Sequence, residues 1–126
     1  KCESSLDYRG ILKDQSTGVF GGIVYVDQEA ANTQSNMSNR NLLLSDHARI
    51  NTKPVLEIYN EDVQCTHSAT SGRLDEEKLF YIQSRGIGES DAMNILIQSF
   101  ASELVEKIKN SQMKRTFQEY LSQKLQ

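Results

Sequence analysis

With 126 residues, 37% of them hydrophobic and no tryptophan, the chain has material for one ordinary domain or one domain with a small appendage. Its formal net charge of −3 argues against a nucleic-acid binder, a class that is usually basic. No apolar run approaches the roughly 20 residues that a membrane-spanning helix requires.

In chain order, Lys1-Cys2-Glu3-Ser4 has no signal-peptide character and reads as the interior of a longer protein. Residues 5–12 and 19–26 are short, rich in Tyr, Ile and Val, and bounded by Asp14-Gln15-Ser16-Thr17-Gly18 and Gly21-Gly22. Further strand-length runs fall at 41–44, 54–59 and 63–67. No Asn-Gly or Asp-Gly hairpin turn separates them. The stretch 32–41 is too polar for an ordinary buried strand. It reads as the outer wall of a β-solenoid, where Asn side chains ladder between stacked turns, while Leu42-Leu43-Leu44 needs burying. Asn36-Met37-Ser38 matches the glycosylation acceptor pattern, a chance match in a protein expected to stay cytoplasmic.

After Gly72 the hydrophobic period changes. Asp75 is placed to cap a helix with Glu76 and Glu77 in its first turn, and Gly86 sits where that helix would stop. Ser90 is expected to cap a second helix, with Met93, Leu96, Ile97, Phe100, Leu104 and Ile108 at three- and four-residue spacing. A third helix is expected from about Gln112, with Met113, Phe117, Leu121 and Leu125 on one stripe. The chain therefore divides into a β region, 1–72, and a helical region, 73–126.

The residues that carry chemistry are few. Cys65 and His67 stand two apart, which puts a soft and a borderline metal ligand on one face of a strand. A structural zinc site needs four ligands, and no second pair of this kind exists, so only a partial site shared with a partner subunit fits. The plainer reading buries Cys65 in the core and gives His67 a local hydrogen bond, and residue pattern alone favours it. Cys2 and Cys65 read as reduced thiols, and His47 as a surface residue in a polar turn. No Gly-x-Ser-x-Gly elbow, Walker A loop or His-Glu-x-x-His motif is present, and nothing announces an enzyme. Phe80-Tyr81-Ile82 is a crowded apolar triplet on one short helix, and at least one of the three is expected to meet another element or a partner.

Five segments in order carry a family resemblance: Gly18-Val-Phe-Gly-Gly-Ile-Val-Tyr-Val, Asn39-Arg-Asn-Leu-Leu-Leu-Ser-Asp, Thr52-Lys-Pro-Val-Leu-Glu-Ile-Tyr, Glu61-Asp-Val-Gln-Cys-Thr-His, and Leu74-Asp-Glu-Glu-Lys-Leu-Phe-Tyr-Ile-Gln-Ser-Arg-Gly-Ile. With these the chain resembles the SufB/SufD family of SUF-system iron–sulfur cluster assembly proteins, and within it the C-terminal part of the SufD branch. The resemblance implies a right-handed parallel β-helix, here partial, followed by a small helical domain. It implies a non-catalytic scaffold that pairs with SufB through the β-helix and docks the ATPase SufC through the helices. By motif, His67 and its neighbour Cys65 would hold iron or a transient cluster at the interface with SufB, and none is expected on this piece alone. Phe80, Tyr81, Arg85 and Ile87 would belong to the ATPase-docking region. A homodimer is the other pairing that open strand edges allow. One departure stands out: Ser68 follows the His where the family usually has Gly. The alternative from another class is a β-solenoid that binds carbohydrate or acts as an adhesin.

Overall fold

The computed structural model describes residues 1–125, which run through five strands and then three helices: β1 (Cys2–Leu12), β2 (Thr17–Val26), β3 (Thr33–Leu43), β4 (Arg49–Ile58), β5 (Val63–Gly72), α1 (Glu76–Gln83), α2 (Glu89–Glu106) and α3 (Ser111–Lys124). Two compact units result, Lys1–Arg73 and Leu74–Gln126. All strand pairing is parallel, in a three-stranded sheet ordered β1-β3-β5 and a two-stranded sheet, β2-β4. Cys2 pairs with Thr33 and Thr33 with Val63, so the chain returns to the same place after about thirty residues, a solenoid period. This is a partial parallel β-helix followed by helices.

The corners are built from the residues that sequence marks as turns. Asp14 and Asn32 take positive φ, 58° and 56°, in the left-handed region that Asp and Asn tolerate best among residues with a side chain. Successive turns bond to one another. Arg49 N donates to Ser16 O at 2.9 Å, Tyr59 N to Val26 O at 2.9 Å, and Asn60 Nδ2 to Gln28 O at 2.6 Å. Pro54 sits within β4, which among the described residues has no strand on its second edge, the position where a missing N–H is tolerated.

Between the sheets, Met37 of β3 packs with Val24 and Val26 of β2, joined by Phe20, Ala30, Leu56, Val63 and Cys65. Gly22 makes room for this: a Cβ there would stand 2.6 Å from Met37 Sδ. The polar stretch 32–41 is not an outer wall. It forms most of β3, the central strand, and Thr33, Ser35, Ser38, Asn39 and Asn41 are buried. Hydrogen bonding makes this tolerable. Asn41 Nδ2 donates to Asn39 Oδ1 at 2.7 Å and to Thr70 O on the next turn at 3.3 Å.

In the helical unit, Asp75 caps α1 by accepting from the Glu77 and Lys78 backbone N–H groups, each at 3.1 Å. Gly86, at φ +84°, follows its C-terminus. The second helix starts at Glu89 with Gly88 as its cap and no side-chain cap bond, so Ser90 lies inside the first turn instead of at the boundary. Its buried stripe is Ala92, Ile97, Ala101 and Val105. Asn110 caps α3 by accepting from Met113 N at 3.0 Å. The stripe expected on α3 splits: Leu121 and Leu125 are half-buried, whereas Met113 and Phe117 stay exposed. An ion pair joins α3 to α2, Lys114 Nζ lying 2.6 Å from Glu106 Oε2. The hydrogen bond and charge of Lys114 hold the Glu106 carboxyl below its ordinary value.

Candidate functional site

β5 is the last strand of its sheet, and its register with β3 places its side chains. Val63, Cys65, His67, Ala69 and Ser71 align with Thr33, Ser35, Met37, Asn39 and Asn41. Period two puts these on the face that carries Met37 into the core. Among the described residues the opposing sheet has two strands against three, so β5, the last of the three, has no further strand of that sheet opposite it. Accordingly Val63 and Cys65 are half-buried, whereas every residue from Thr66 to Gly72 is exposed.

Cys65 and His67 thus share a face but not an environment. The Cys65 thiol is free and packs against the Val24–Val26–Met37 cluster. The His67 imidazole is exposed one inner-face position further on, beside the register position of Met37. Thr66, between them on the opposite face, donates to Asn36 Oδ1 at 2.8 Å and ties β5 to β3. Ser68 occupies an ordinary strand position aligned with Ser38, and among the described residues the non-Gly residues with positive φ are Asp14 and Asn32. The local backbone therefore needs no glycine here.

Chemically, a thiol and an imidazole on one face are two potential donors to a soft metal. Among the described residues no group of three or more His, Cys, Asp or Glu side chains could hold a metal ion. Two donors fall short of the four ligands that a resident structural zinc takes. Cys2 is exposed at the far end of the same sheet, aligned with Thr33 and Val63 instead of with Cys65. His47 is exposed in the turn before β4.

Residues that pattern reading missed are the register neighbours Ser35 and Met37. They lie about thirty positions upstream, and only the solenoid period, which no sequence repeat betrays, would have aligned them with Cys65 and His67.

The second grouping lies on α1. Phe80 is 72% and Tyr81 59% exposed, while Ile82 is half-buried. Arg85 Nη2 donates to Tyr81 Oη at 2.7 Å, with the guanidinium carbon 4.9 Å from the ring centroid. This contact stiffens a wide aromatic surface at modest conformational cost. Ile87, half-buried, follows the Gly86 bend. Beside Tyr81, a shallow groove runs between Lys78, Ile82 and Leu96.

Residues 1–100 match the family described as "SUF system FeS cluster assembly, SufBD core domain". The chain is 41% identical over 124 residues to the iron–sulfur cluster assembly protein SufD of Escherichia coli, which covers 98% of this chain and 29% of that protein. It is 43% identical over 101 residues to an iron–sulfur cluster assembly SufBD family protein of Synechocystis, covering 80% and 22%. Against the SufD of Bacillus subtilis the identity is 33% over 99 residues, 79% of this chain and 23% of that protein. The chain spans less than a third of the length of these relatives.

Proposed function

The chain belongs to the SufBD core family of SUF-system iron–sulfur cluster assembly proteins, as a SufD-type segment, and from that premise we propose that it is the part of a non-catalytic scaffold where a nascent cluster is held. Iron and sulfide are its cargo. His67 supplies a neutral imidazole to iron, Cys65 stands next to it as an auxiliary thiolate, and the remaining ligands come from a SufB-type partner. That partner continues the β-helix at the open edge of β5, where unpaired backbone groups invite strand addition. A SufC-type ATPase docks on the aromatic surface of α1 with Phe80, Tyr81, Arg85 and Ile87, and the assembly works in the cytoplasm. Among the described residues no helix is long and apolar enough to cross a membrane.

The observation that supports this reading most is the contrast on β5: a half-buried thiol and an exposed imidazole share one face where the solenoid runs out of opposing strand. In the full-length complex, His67→Ala should lower cluster formation at least about tenfold while changing stability by less than about 0.5 kcal/mol, the usual range for an exposed site. Cys65→Ser should cost about 1 kcal/mol of stability, because it puts a hydroxyl into a partly apolar site, and should reduce cluster formation less than His67→Ala does. Iron and sulfide analysis after reconstitution reads the first effect and thermal melting the second. Wild-type cluster yield in the His67→Ala complex would return His67 to a surface role.

A further inference from the structure

The outer side of the β2–β4 sheet is open and apolar. Val24 and Val26 point into the core, so by period two Val19, Gly21, Ile23 and Tyr25 point outward. Val19, Ile23 and Tyr25 are 80%, 62% and 59% exposed. β4 runs parallel beside them, with Lys53 level with Gly21, Val55 with Ile23, and Glu57 with Tyr25. Tyr25 is already held in place: its ring lies 5.4 Å from that of Tyr59, and its hydroxyl donates to Asp27 Oδ2 at 3.3 Å. Lys53 and Glu57 are exposed and stand about 13 Å apart along the strand with Val55 between them, too far to pair with each other.

We propose that this face is self-complementary and joins a second copy of the chain. A two-fold axis lying across both strands at the level of Ile23 and Val55 turns one face onto another with the strands antiparallel. Ile23 then meets Ile23 of the second copy, and Val55 meets Val55. Lys53 lies over Glu57 of the second copy, and Glu57 over its Lys53. The charges select this arrangement. Arg49 and Lys53 make the start of β4 basic, while Glu57 and, just past β2, Asp27 make the other end acidic. Antiparallel stacking sets opposite charges together, whereas parallel stacking would set like on like. Gly21 fits the same arrangement, since it comes to lie under Tyr25 of the second copy. Within its own chain a Cβ at Gly21 would meet nothing within 4 Å, so the fold makes no use of the gap that the aromatic ring fills. Two strands of ten residues offer roughly 33 by 10 Å, a small interface, so the association is weak, on the order of micromolar or above. This face is separate from the open edge of β5, and the proposal does not depend on the assembly reading.

The test is sedimentation equilibrium of the full-length protein, following the rise of average mass over about 1–500 µM. Lys53→Glu and Glu57→Lys should each weaken the association about tenfold, because the two-fold axis repeats every contact twice. Mixed in equal amounts, these two variants should associate with each other at about the wild-type affinity, since each brings the charge that the other lacks. Gly21→Val should weaken association without lowering the melting temperature, because the added side chain fills the seat of the Tyr25 ring and touches nothing in its own chain. A wild-type protein whose mass does not rise with concentration would overturn the proposal and would mean that another segment or another protein covers this face. An association shared equally by all the variants would overturn it too, and would place the contact elsewhere, as at the open edge of β5. So would a mixture no tighter than either single variant, since the two charges would then not face each other. No cluster or ATPase enters this experiment, so its failure leaves the His67 reading standing, and the reverse also holds.

Discussion

Met37 is 1% exposed, and no other side chain among the described residues is both large and so fully enclosed. It occupies the central strand, touches β2 through Val24 and Val26, and lies beside the register position of His67. Met37→Ala should therefore destabilise the β unit by about 2–5 kcal/mol, the loss expected when a core side chain leaves a cavity. Gly22→Ala adds a methyl 2.6 Å from the Met37 sulfur and should cost about 1–3 kcal/mol through overpacking. Combining the two should cost less than the sum, since the cavity of one accepts the methyl of the other. Denaturant titration of the four proteins checks this; additive losses would mean that the contact does not govern packing there. That Cys65 and His67 share a face was legible from their spacing, but the different exposure of the two was not. That depends on which turn of the solenoid lacks an opposing strand, a fact about topology and not about neighbouring residues.

At the scale of elements, the helices were easier to read than the strands. Asp75, Gly86 and the three- and four-residue apolar spacing act within one turn of chain, so local sequence carries them. The boundary at Ser90 slipped because Gly88, without a side chain to signal it, is the cap. β3 was misread as an exposed wall because Ser, Thr and Asn normally mark surface. Here they are buried, and Asn39, Asn41 and Thr70 satisfy one another across adjacent turns. The cap of α1 yields a pH prediction. The backbone N–H of Lys78 holds the Asp75 carboxyl below its ordinary 3.8; desolvation opposes it, and the charge of Lys78 adds a lesser lowering. A carboxyl lowered by folding contributes stability that is complete above its unfolded value and fades as pH falls through the lower, folded one. The α1 amide signals of Glu77 and Lys78 should therefore shift toward unfolded positions only below the ordinary carboxylate range. Asp75→Asn, which keeps the accepting oxygen, should hold the helix with no such acid transition, and Asp75→Ala should weaken it at every pH. An acid midpoint unchanged by Asp75→Asn would assign the transition to another group.

For the molecule as a whole, the change of hydrophobic period after Gly72 coincides with a change of proposed partner. The open last strand, β5, belongs to the unit Lys1–Arg73, and the aromatic surface of α1 to the unit from Leu74 onward. Each unit has its own buried residues: Val24, Val26 and Met37 in the first, Ala92, Ile97, Ala101 and Val105 in the second. Substitutions in the exposed surface of one unit should thus leave the other intact, and the two associations should be lost separately. Ala69 is exposed on the inner-face register of β5, where a partner strand continuing the solenoid would bring its own side chains. Ala69→Lys places a solvated charge in that ladder, the device by which natural edge strands refuse partners. It should weaken binding of a SufB-type subunit by at least about tenfold, since a like or unpaired charge in a closed interface costs more than about 1.4 kcal/mol. Binding of the SufC-type ATPase should stay at the wild-type level. Tyr81→Glu should do the opposite, because it removes the aromatic ring that Arg85 stacks on and puts a carboxylate at the centre of the α1 surface. Calorimetric titration of each variant with each partner gives four affinities. If Tyr81→Glu weakened only the SufB-type association, or Ala69→Lys only the ATPase, the assignment of partners to units would be reversed. If each variant weakened both, the two surfaces would form one interface, and the break after Gly72 would be structural without being functional.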